Sequence, residues 1–283
     1  MRSALYVPGD RPDMLAKALG RGADAVIVDL EDAVAPTAKE HARTVCARWL
    51  TELPPAGSRP GPEIWVRINP GQRGLADARA AALPAVDGMM VAKAERVGDL
   101  VAVAGELAAA PWIALCPLLE SAAALLAAPL LARGPRVTRL QLGEADLCAD
   151  TGITPGPDER ELLWPRTQLT LASAAARLAP PLGPVSTDFR DLAALRRSTA
   201  ALKRLGFGGR TCIHPAQIPV VNEVFTPTTA ELDRARSLVE RFEAAGSGVA
   251  QDESGRMIDE AVVRGARRVL ASVPDTSTVP YDS

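Results

Sequence analysis

The sequence predicts an α/β protein, a (β/α)8 TIM barrel with a C-terminal helical arm, and three observations predict it. Eight short apolar runs alternate with longer segments whose apolar positions recur at helical spacing. The chain has 283 residues, the size of one barrel of this kind. Nearly every apolar run ends, on its carboxyl side, in a charged or polar residue, whereas the entering side is mostly Gly, Ala, Pro or a surface charge.

In chain order the strands are read at residues 4–7, 25–30, 64–68, 88–91, 112–119, 139–142, 185–187 and 211–213. Helical patterns lie between them at 14–19, 38–50, 97–109, 122–131, 159–178 and 192–205. Asp10, with Pro12 just after it and Asp13 three residues on, has the pattern of an N-cap for the first helix. Two further helical stretches, 231–245 and 257–270, follow the last strand, separated by AAGSGVAQDESG. The division expected is a barrel over 1–225, a helical extension over 226–273 and a flexible tail over 274–283.

Composition narrows the function classes. A hydrophobic fraction of 47% and a charged fraction of 23% belong to a globular chain with a substantial core. Lys and Arg number 32 against 34 Asp and Glu, so no global field draws nucleic acid or an acidic membrane, and any anionic ligand must meet a local cluster. Cys46, Cys116, Cys148 and Cys212 are far apart, form no C-x-x-C and lie in apolar stretches, which predicts reduced, buried thiols and a cytoplasmic protein. The N-terminus MRSALYVPGD is too short in apolar residues for a signal peptide, and no run approaches the roughly 18 apolar residues of a membrane span.

In such barrels chemistry occurs where the carboxyl ends of the strands enter the following loops. Those positions supply Arg11, then Asp29, Glu31 and Asp32, then Arg67 and Asn69, then Lys93, Glu120, Glu144 with Asp146, Asp188 and His214. Glu120 and Asp146 follow adjacent strands, and two hard oxygen ligands without nearby His or Cys suit Mg2+; the alternative is that each caps its following helix. Arg67 either binds a substrate carboxylate or developing enolate, or pairs with the acids after Leu30, and both can hold at once. Lys93 reads as an ion-pair residue rather than a Schiff base. Gly206–Arg210 reads as a helix-to-strand turn rather than a phosphate loop, His214 as a packed, hydrogen-bonded histidine and His41 as a surface one.

Seven ordered blocks carry a resemblance: RSALYVPGDRPDMLAKAL, GADAVIVDLEDAVAPTAKEHAR, RINP, LLESA, LGEADLCADTG, GFGGRTCIHPAQI and GRMIDEAVV. From residue 2 to about 270 the chain resembles the citrate lyase β-subunit and malyl-CoA lyase family. The resemblance implies a (β/α)8 barrel and a Mg2+-dependent lyase acting on the bond between an acyl thioester α-carbon and the carbonyl carbon of an α-keto acid. It implies Glu120 and Asp146 as metal carboxylates, Arg67 facing the substrate and enolate oxygen, and Tyr6, Arg11 and Lys17 at the coenzyme. Asp259, in the G-x-M-[IV]-D motif, is implied as the acid/base, delivered by the arm of a neighbouring subunit in a homo-oligomer, a trimer or a hexamer. Asp29, Glu31 and Asp32 then orient Arg67 and the metal's waters.

The reaction implied first is cleavage of a citryl-CoA-type 3-hydroxy-3-carboxyacyl thioester to oxaloacetate and an acetyl thioester. Malyl-CoA or citramalyl-CoA lyase, malyl-CoA thioesterase, and a subunit of a citrate lyase complex serving an acyl carrier protein are the alternatives. Two departures from the family pattern stand out. Lys93 lies in VAKAE rather than PK-x-E and takes no catalytic role, and the STD turn after the seventh strand leaves the acid half open.

Overall fold

Alternation along eight short strands decides what faces the axis of this fold. The computed structural model describes residues 1–246 and 248–272. Strands β1 (Ser3–Pro8), β2 (Ala25–Asp29), β3 (Glu63–Ile68), β4 (Gly88–Val91), β5 (Ala114–Leu119), β6 (Gln141–Leu142), β7 (Leu182–Gly183) and β8 (Gly209–Cys212) close a parallel barrel in sequential order. The helices between them are α1 (Pro12–Ala18), α2 (Lys39–Thr51), α3 (Gly71–Ala80), α4 (Val97–Glu106), α5 (Ala122–Leu126), α6 (Ala128–Leu131), α7 (Glu144–Thr151), α8 (Leu163–Ala175), α9 (Leu192–Arg204) and α10 (Gln217–Phe225).

Two apolar layers follow from strand parity. Ala4, Ala25, Ile27, Trp65, Met90, Cys116 and Leu182 fill the lumen, with Met1, Tyr6 and Ala114 against them. The intervening residues, among them Leu5, Val26, Val28, Val66, Met89 and Leu115, pack outward against the helices. Register carries the parity around the barrel: Tyr6 pairs with Ile27, Ile27 with Trp65, Asp29 with Arg67, Arg67 with Met90, and Leu118 with Gln141. Asp29, Arg67 and Gln141 therefore share the inward set, one or two steps above the apolar plug.

The seventh strand lies at Leu182–Gly183, not at the expected 185–187. Pro184 has no N–H to continue the ladder, so the strand stops and Val185 and Thr187 become cavity wall. Asp10 does not cap α1: Arg11 occupies that position without a capping bond from its side chain, and pairs with Asp13 at 3.2 Å. The expected helix over 122–131 divides at Ala127, two residues before Pro129, which cannot donate to an i−4 carbonyl. Helices α3, α7 and α10 add to those expected. All four cysteines are free; three are buried and Cys148 is half-buried.

The chain divides into two compact units, Met1–Phe225 and the residues from Thr226 onward. In the second, α11 (Thr229–Ala245) opens with a capping box between Thr228 and Glu231 and packs against α12 (Glu260–Ala271). A small antiparallel pair, β9 (Ala250–Gln251) with β10 (Met257–Ile258), connects them. Residues 257–258 are thus strand rather than the start of the expected helix, which begins only after Asp259. The tail expected at 274–283 lies outside the described residues. Among the described residues no helix is long and apolar enough to cross a membrane.

Candidate active site

The inward residues at the carboxyl ends of the strands line a cavity of about 490 Å3. Tyr6 and Gln141 form its floor from opposite sides of the barrel: the Gln141 Nε2 donates to the Tyr6 hydroxyl at 2.9 Å, and the hydroxyl faces the Met90 sulfur. The Arg67 guanidinium lies 4.8 Å above the centre of the Tyr6 ring. Burial pushes the Tyr6 phenol up, so it stays a neutral donor. Gln141 is 2% exposed, yet its Oε1 has no hydrogen-bond partner. A buried acceptor left that way costs about 1–3 kcal/mol.

Above the floor the acids after Leu30 separate into distinct tasks. Asp29 is buried and spent on structure: both its oxygens accept from Arg67, and they also take the backbone N–H groups of Glu31 and Ala33. Glu31, also buried, accepts from Arg67 Nη1 at 3.0 Å and from Lys93 Nζ at 2.7 Å. Asp32 is half exposed and stands 3.7–3.8 Å from both cations. Arg67 is thus held by a bidentate carboxylate and a third contact, which uses three of its five N–H groups and leaves two for a ligand. Burial opposes its charge, but the Asp29 bond together with the charges of Tyr6, Asp29 and Glu31 outweighs this and holds the guanidinium firmly protonated. Arg67 is paired with the acids, as one of its two readings expects, and it also lines the cavity.

Lys93 has its backbone in the left-handed region at φ 52°, which points its N–H at Glu120 Oε1 (2.7 Å) and sends its side chain to Glu31. Burial pulls its ammonium down, but the Glu31 bond and the Glu31 and Asp32 charges hold it above the usual lysine value, the opposite of what a Schiff base needs.

Glu120 and Asp146 face the same cavity, the first after β5 and the second in the first turn of α7. Neither is an N-cap: Ser121 caps α5, and Gly143 holds the N-cap position of α7. Gly143 permits the approach, because a Cβ there would stand 2.7 Å from Glu120 Cβ and 2.9 Å from its Oε2. Burial, reinforced by the charges of Asp146 and Glu31, pushes the Glu120 carboxyl up to about 7. Asp29, Glu31, Asp32, Glu120 and Asp146 exceed Arg67, Lys93 and the buried Lys39 by two negative charges.

Among the described residues no group of three or more His, Cys, Asp or Glu is arranged to hold a metal. A pair of carboxylates with an unmet charge of two fits Mg2+, which takes one or two carboxylates and completes its shell with water and substrate oxygens. Glu120 and Asp146 are the residues that would hold it.

This electrostatic arrangement fixes a pH dependence. Because the folded-state value of Glu120 is raised, its contribution to the stability of the metal-free protein is present below about pH 4.5 and is lost as pH rises through about 7. Mg2+ must displace that proton, so its affinity is expected to fall about tenfold per pH unit below pH 7 and to level off above it. Calorimetric titration at pH 5.5, 6.5 and 8 in two buffers of different ionisation enthalpy measures both the affinity and the proton released. Constant affinity with no proton release would remove Glu120 from the metal site.

The structure brings Tyr6, Asp29, Asp32, Arg67, Glu120 and Asp146 to one cavity and leaves other expected residues elsewhere. Arg11 and Lys17 are exposed on α1, but Tyr6 does not join them: its parity on β1 turns its ring into the lumen. Glu144 also lines the cavity, where it is bound to the buried Arg166, which also reaches Glu159. His214 is exposed rather than packed, stacked on Phe189 at 4.7 Å with its Nδ1 accepting from the Ala216 N–H. His41 is exposed, and 206–210 is a turn into β8. Asp259 lies in the second unit, where its side chain accepts from the Val262 N–H.

Three contributors escaped the sequence reading. Lys39 donates to the carbonyls of Leu30 and Glu31, and Asp77 holds Asn69, which also reaches the Leu30 carbonyl. Together they fix the loop bearing the acids. Gln141 is the third, and its signal was a lone amide within the apolar run RLQLG.

Comparison with known proteins agrees with this fold. The family described as HpcH/HpaI aldolase/citrate lyase matches residues 2–215. A (3S)-malyl-CoA thioesterase of Cereibacter sphaeroides is 37% identical over 95% of this chain and 93% of its own length. A citrate lyase subunit beta-like protein of Deinococcus radiodurans is 33% identical over 96% of each. The crystal structure of protein CitE from Mycobacterium tuberculosis, in complex with magnesium, acetoacetate and coenzyme A, superposes with a TM-score of 0.79 at 29% identity, covering 96% of this chain and 97% of that one. With a closed eight-stranded barrel, a carboxylate pair at its carboxyl mouth and a match over most of its length, this chain belongs to the HpcH/HpaI aldolase/citrate lyase family.

Proposed function

We propose that this protein is a Mg2+-dependent carbon–carbon lyase that cleaves a 3-hydroxy-3-carboxyacyl-CoA into a 2-oxo acid and a shorter acyl thioester. The observation that carries this reading is the pair Glu120 and Asp146, buried or half-buried, facing Arg67 across one cavity in a member of this family. Citryl-CoA, giving oxaloacetate, and malyl-CoA or citramalyl-CoA, giving glyoxylate or pyruvate, are the substrates of this form.

Bound Mg2+ supplies Lewis acidity toward the carboxylate and 3-hydroxyl of the acid half. The remaining work belongs to the chain. As the hydroxyl proton is lost, the bond between C2 and C3 breaks, its electron pair moves onto the thioester, and the two free N–H groups of Arg67 meet the enolate oxygen. Asp29 and Glu31 keep the guanidinium from turning toward solvent. Asp259, brought by the arm of a neighbouring subunit in a trimer or hexamer, protonates C2; in the synthetic direction the same carboxylate removes that proton. Arg11 and Lys17 on the exposed face of α1 attract the phosphates of the coenzyme. Four free cysteines fit a reducing compartment, the cytoplasm.

A thioesterase is the second reading, favoured by the 37% identity to an enzyme of that name. A coupled assay that follows oxo acid and free CoA separately, with Mg2+ and citryl-, malyl- and citramalyl-CoA, decides between them. The lyase reading expects oxo acid in step with acyl-CoA; free CoA without oxo acid makes the protein a thioesterase. Turnover only with a thioester on an acyl carrier protein makes it a subunit of a larger complex.

A further inference from the structure

Past Pro184 the wall between β7 and β8 is held by side chains in place of a backbone ladder. The two strands pair only at Leu182 with Gly209 and at Gly183 with Arg210. Beyond that point Pro184, Val185, Thr187 and Ile213 line the cavity, so two irregular segments form one side of it. Segments of this kind drift unless their backbone groups find partners. Three buried polar residues that do not themselves line the cavity supply them. Thr211 Oγ1 donates to the Gly183 carbonyl at 3.0 Å, Arg210 Nε to the Pro184 carbonyl at 2.9 Å, and Gln217 Nε2 to the Ser186 carbonyl at 2.9 Å.

Gln217 joins the two segments. It is 0% exposed, and its Oε1 accepts from the Ile213 and His214 N–H groups at 2.8 and 3.2 Å. Arg210 is anchored behind the wall on α9, where its Nη1 donates to the hydroxyls of Ser198 and Thr199 at 2.7 and 2.8 Å. Burial pulls its guanidinium down and its partners are neutral oxygens, so it fixes geometry at a cost in desolvation. In a closed barrel of eight strands in sequential order, β7 stands across the axis from β3. The wall therefore faces Arg67, and a substrate in the cavity lies between them.

We infer that Gln217 is a positioning residue of this site: with Arg210 and Thr211 it fixes how far Val185, Thr187 and Ile213 stand from Arg67, and so holds the scissile bond against the guanidinium. This rests on the lyase reading above and extends it to residues that touch no substrate.

Gln217→Met keeps the volume and removes all three side-chain bonds. Saturated with Mg2+, it is expected to lose at least about tenfold in kcat, since misplacement by about an ångström can cost a hundredfold. KM, carried largely by the remote coenzyme handle, is expected to change less than about threefold. Mg2+ affinity and stoichiometry, set by Glu120 and Asp146, stay at their wild-type values. A role in stability alone predicts fewer Mg2+-binding sites with unchanged kcat per site, and that result overturns the inference.

If Gln217→Met does not fold, Gln217→Glu decides. The new side chain keeps both accepted bonds, and as a neutral acid it still donates to Ser186; ionisation removes that donor. Its kcat relative to wild type is expected to fall at least about tenfold as pH rises from about 6 to about 9, and a constant ratio overturns the inference. Should the wild type turn over no thioester, the lyase reading fails by itself, and calorimetric binding of pyruvate with Mg2+ tests the wall directly. Pyruvate has no coenzyme handle, so whichever variant folds is expected to bind it at least about fivefold more weakly than wild type at pH 9. Equal affinity there overturns the positioning role.

Discussion

Glu120→Gln is expected to lower oxo-acid release more than a thousandfold while leaving the fold intact and the metal-free protein at least as stable as wild type at pH 8. The activity loss follows from the small donor set. In the proposed site two carboxylates would hold the cation, so removing the charge of one would remove half the protein's ligands and, with them, several kcal/mol of transition-state stabilisation at about 1.4 kcal/mol per tenfold. The stability gain follows from the same desolvation that raises Glu120 to about 7: above that pH the metal-free wild type holds an ionised carboxylate beside Asp146 and Glu31. An amide of the same shape relieves that repulsion and can still accept the Lys93 N–H. Thermal melts with and without Mg2+ measure both halves. The wild type should gain stability from Mg2+ and the variant should not, because only binding to the folded state shifts the melt. Asp146→Asn should resemble it, and the double variant should be little worse than either, as expected for residues acting as one unit. A Glu120→Gln protein that keeps full turnover would move the metal to other ligands.

This site was legible in the sequence to the extent that strand parity and loop position decide it. The acid and base at each carboxyl strand end announced the mouth of a barrel, and the run VIVDLED told where the second strand turns into its loop. What parity could not tell is which acid does what. Asp29, Glu31 and Asp32 are three acids within four residues, yet one clamps Arg67, one bridges Arg67 to Lys93 and one faces solvent. That division depends on the loop's path, which Lys39 and Asn69 set by gripping the Leu30 and Glu31 carbonyls from α2 and from the end of β3. A lysine in a helix written KEHAR reads as surface, and only the approach of that helix to the loop buries it. Local apolarity misled at the seventh strand as well, where Val185 resembles strand but Pro184 ends the ladder. His214 followed the same error, since a residue after a buried strand stays buried only if another element covers it. Strand parity turns Tyr6 into the lumen, apart from the exposed Arg11 and Lys17 with which the resemblance groups it.

Asp259 is where sequence motif outruns single-chain geometry, and a subunit-mixing experiment carries the largest remaining effect. Within its own unit the side chain does nothing unusual: it caps α12 by accepting the Val262 N–H at 2.9 Å, as many aspartates do. Capping alone predicts that Asp259→Asn, which can still accept that bond, behaves as wild type. An acid/base role predicts that Asp259→Asn and Asp259→Ala both lose about a hundredfold or more in kcat, with Mg2+ affinity unchanged. The decisive measurement is made on a mixture. Asp259→Ala supplies an intact barrel site without its carboxylate, and Glu120→Gln supplies the carboxylate with a broken barrel site. If the arm serves a neighbouring subunit, equal amounts co-refolded or exchanged into mixed oligomers regain about a quarter of wild-type sites, since half the barrels are intact and half of their neighbours bring Asp259. If each arm serves its own barrel, no subunit in the mixture owns both groups and activity stays at the level of the parents. Recovery that disappears when the oligomer is cross-linked before mixing would tie the effect to subunit exchange, and so to an active site completed between two copies of this chain.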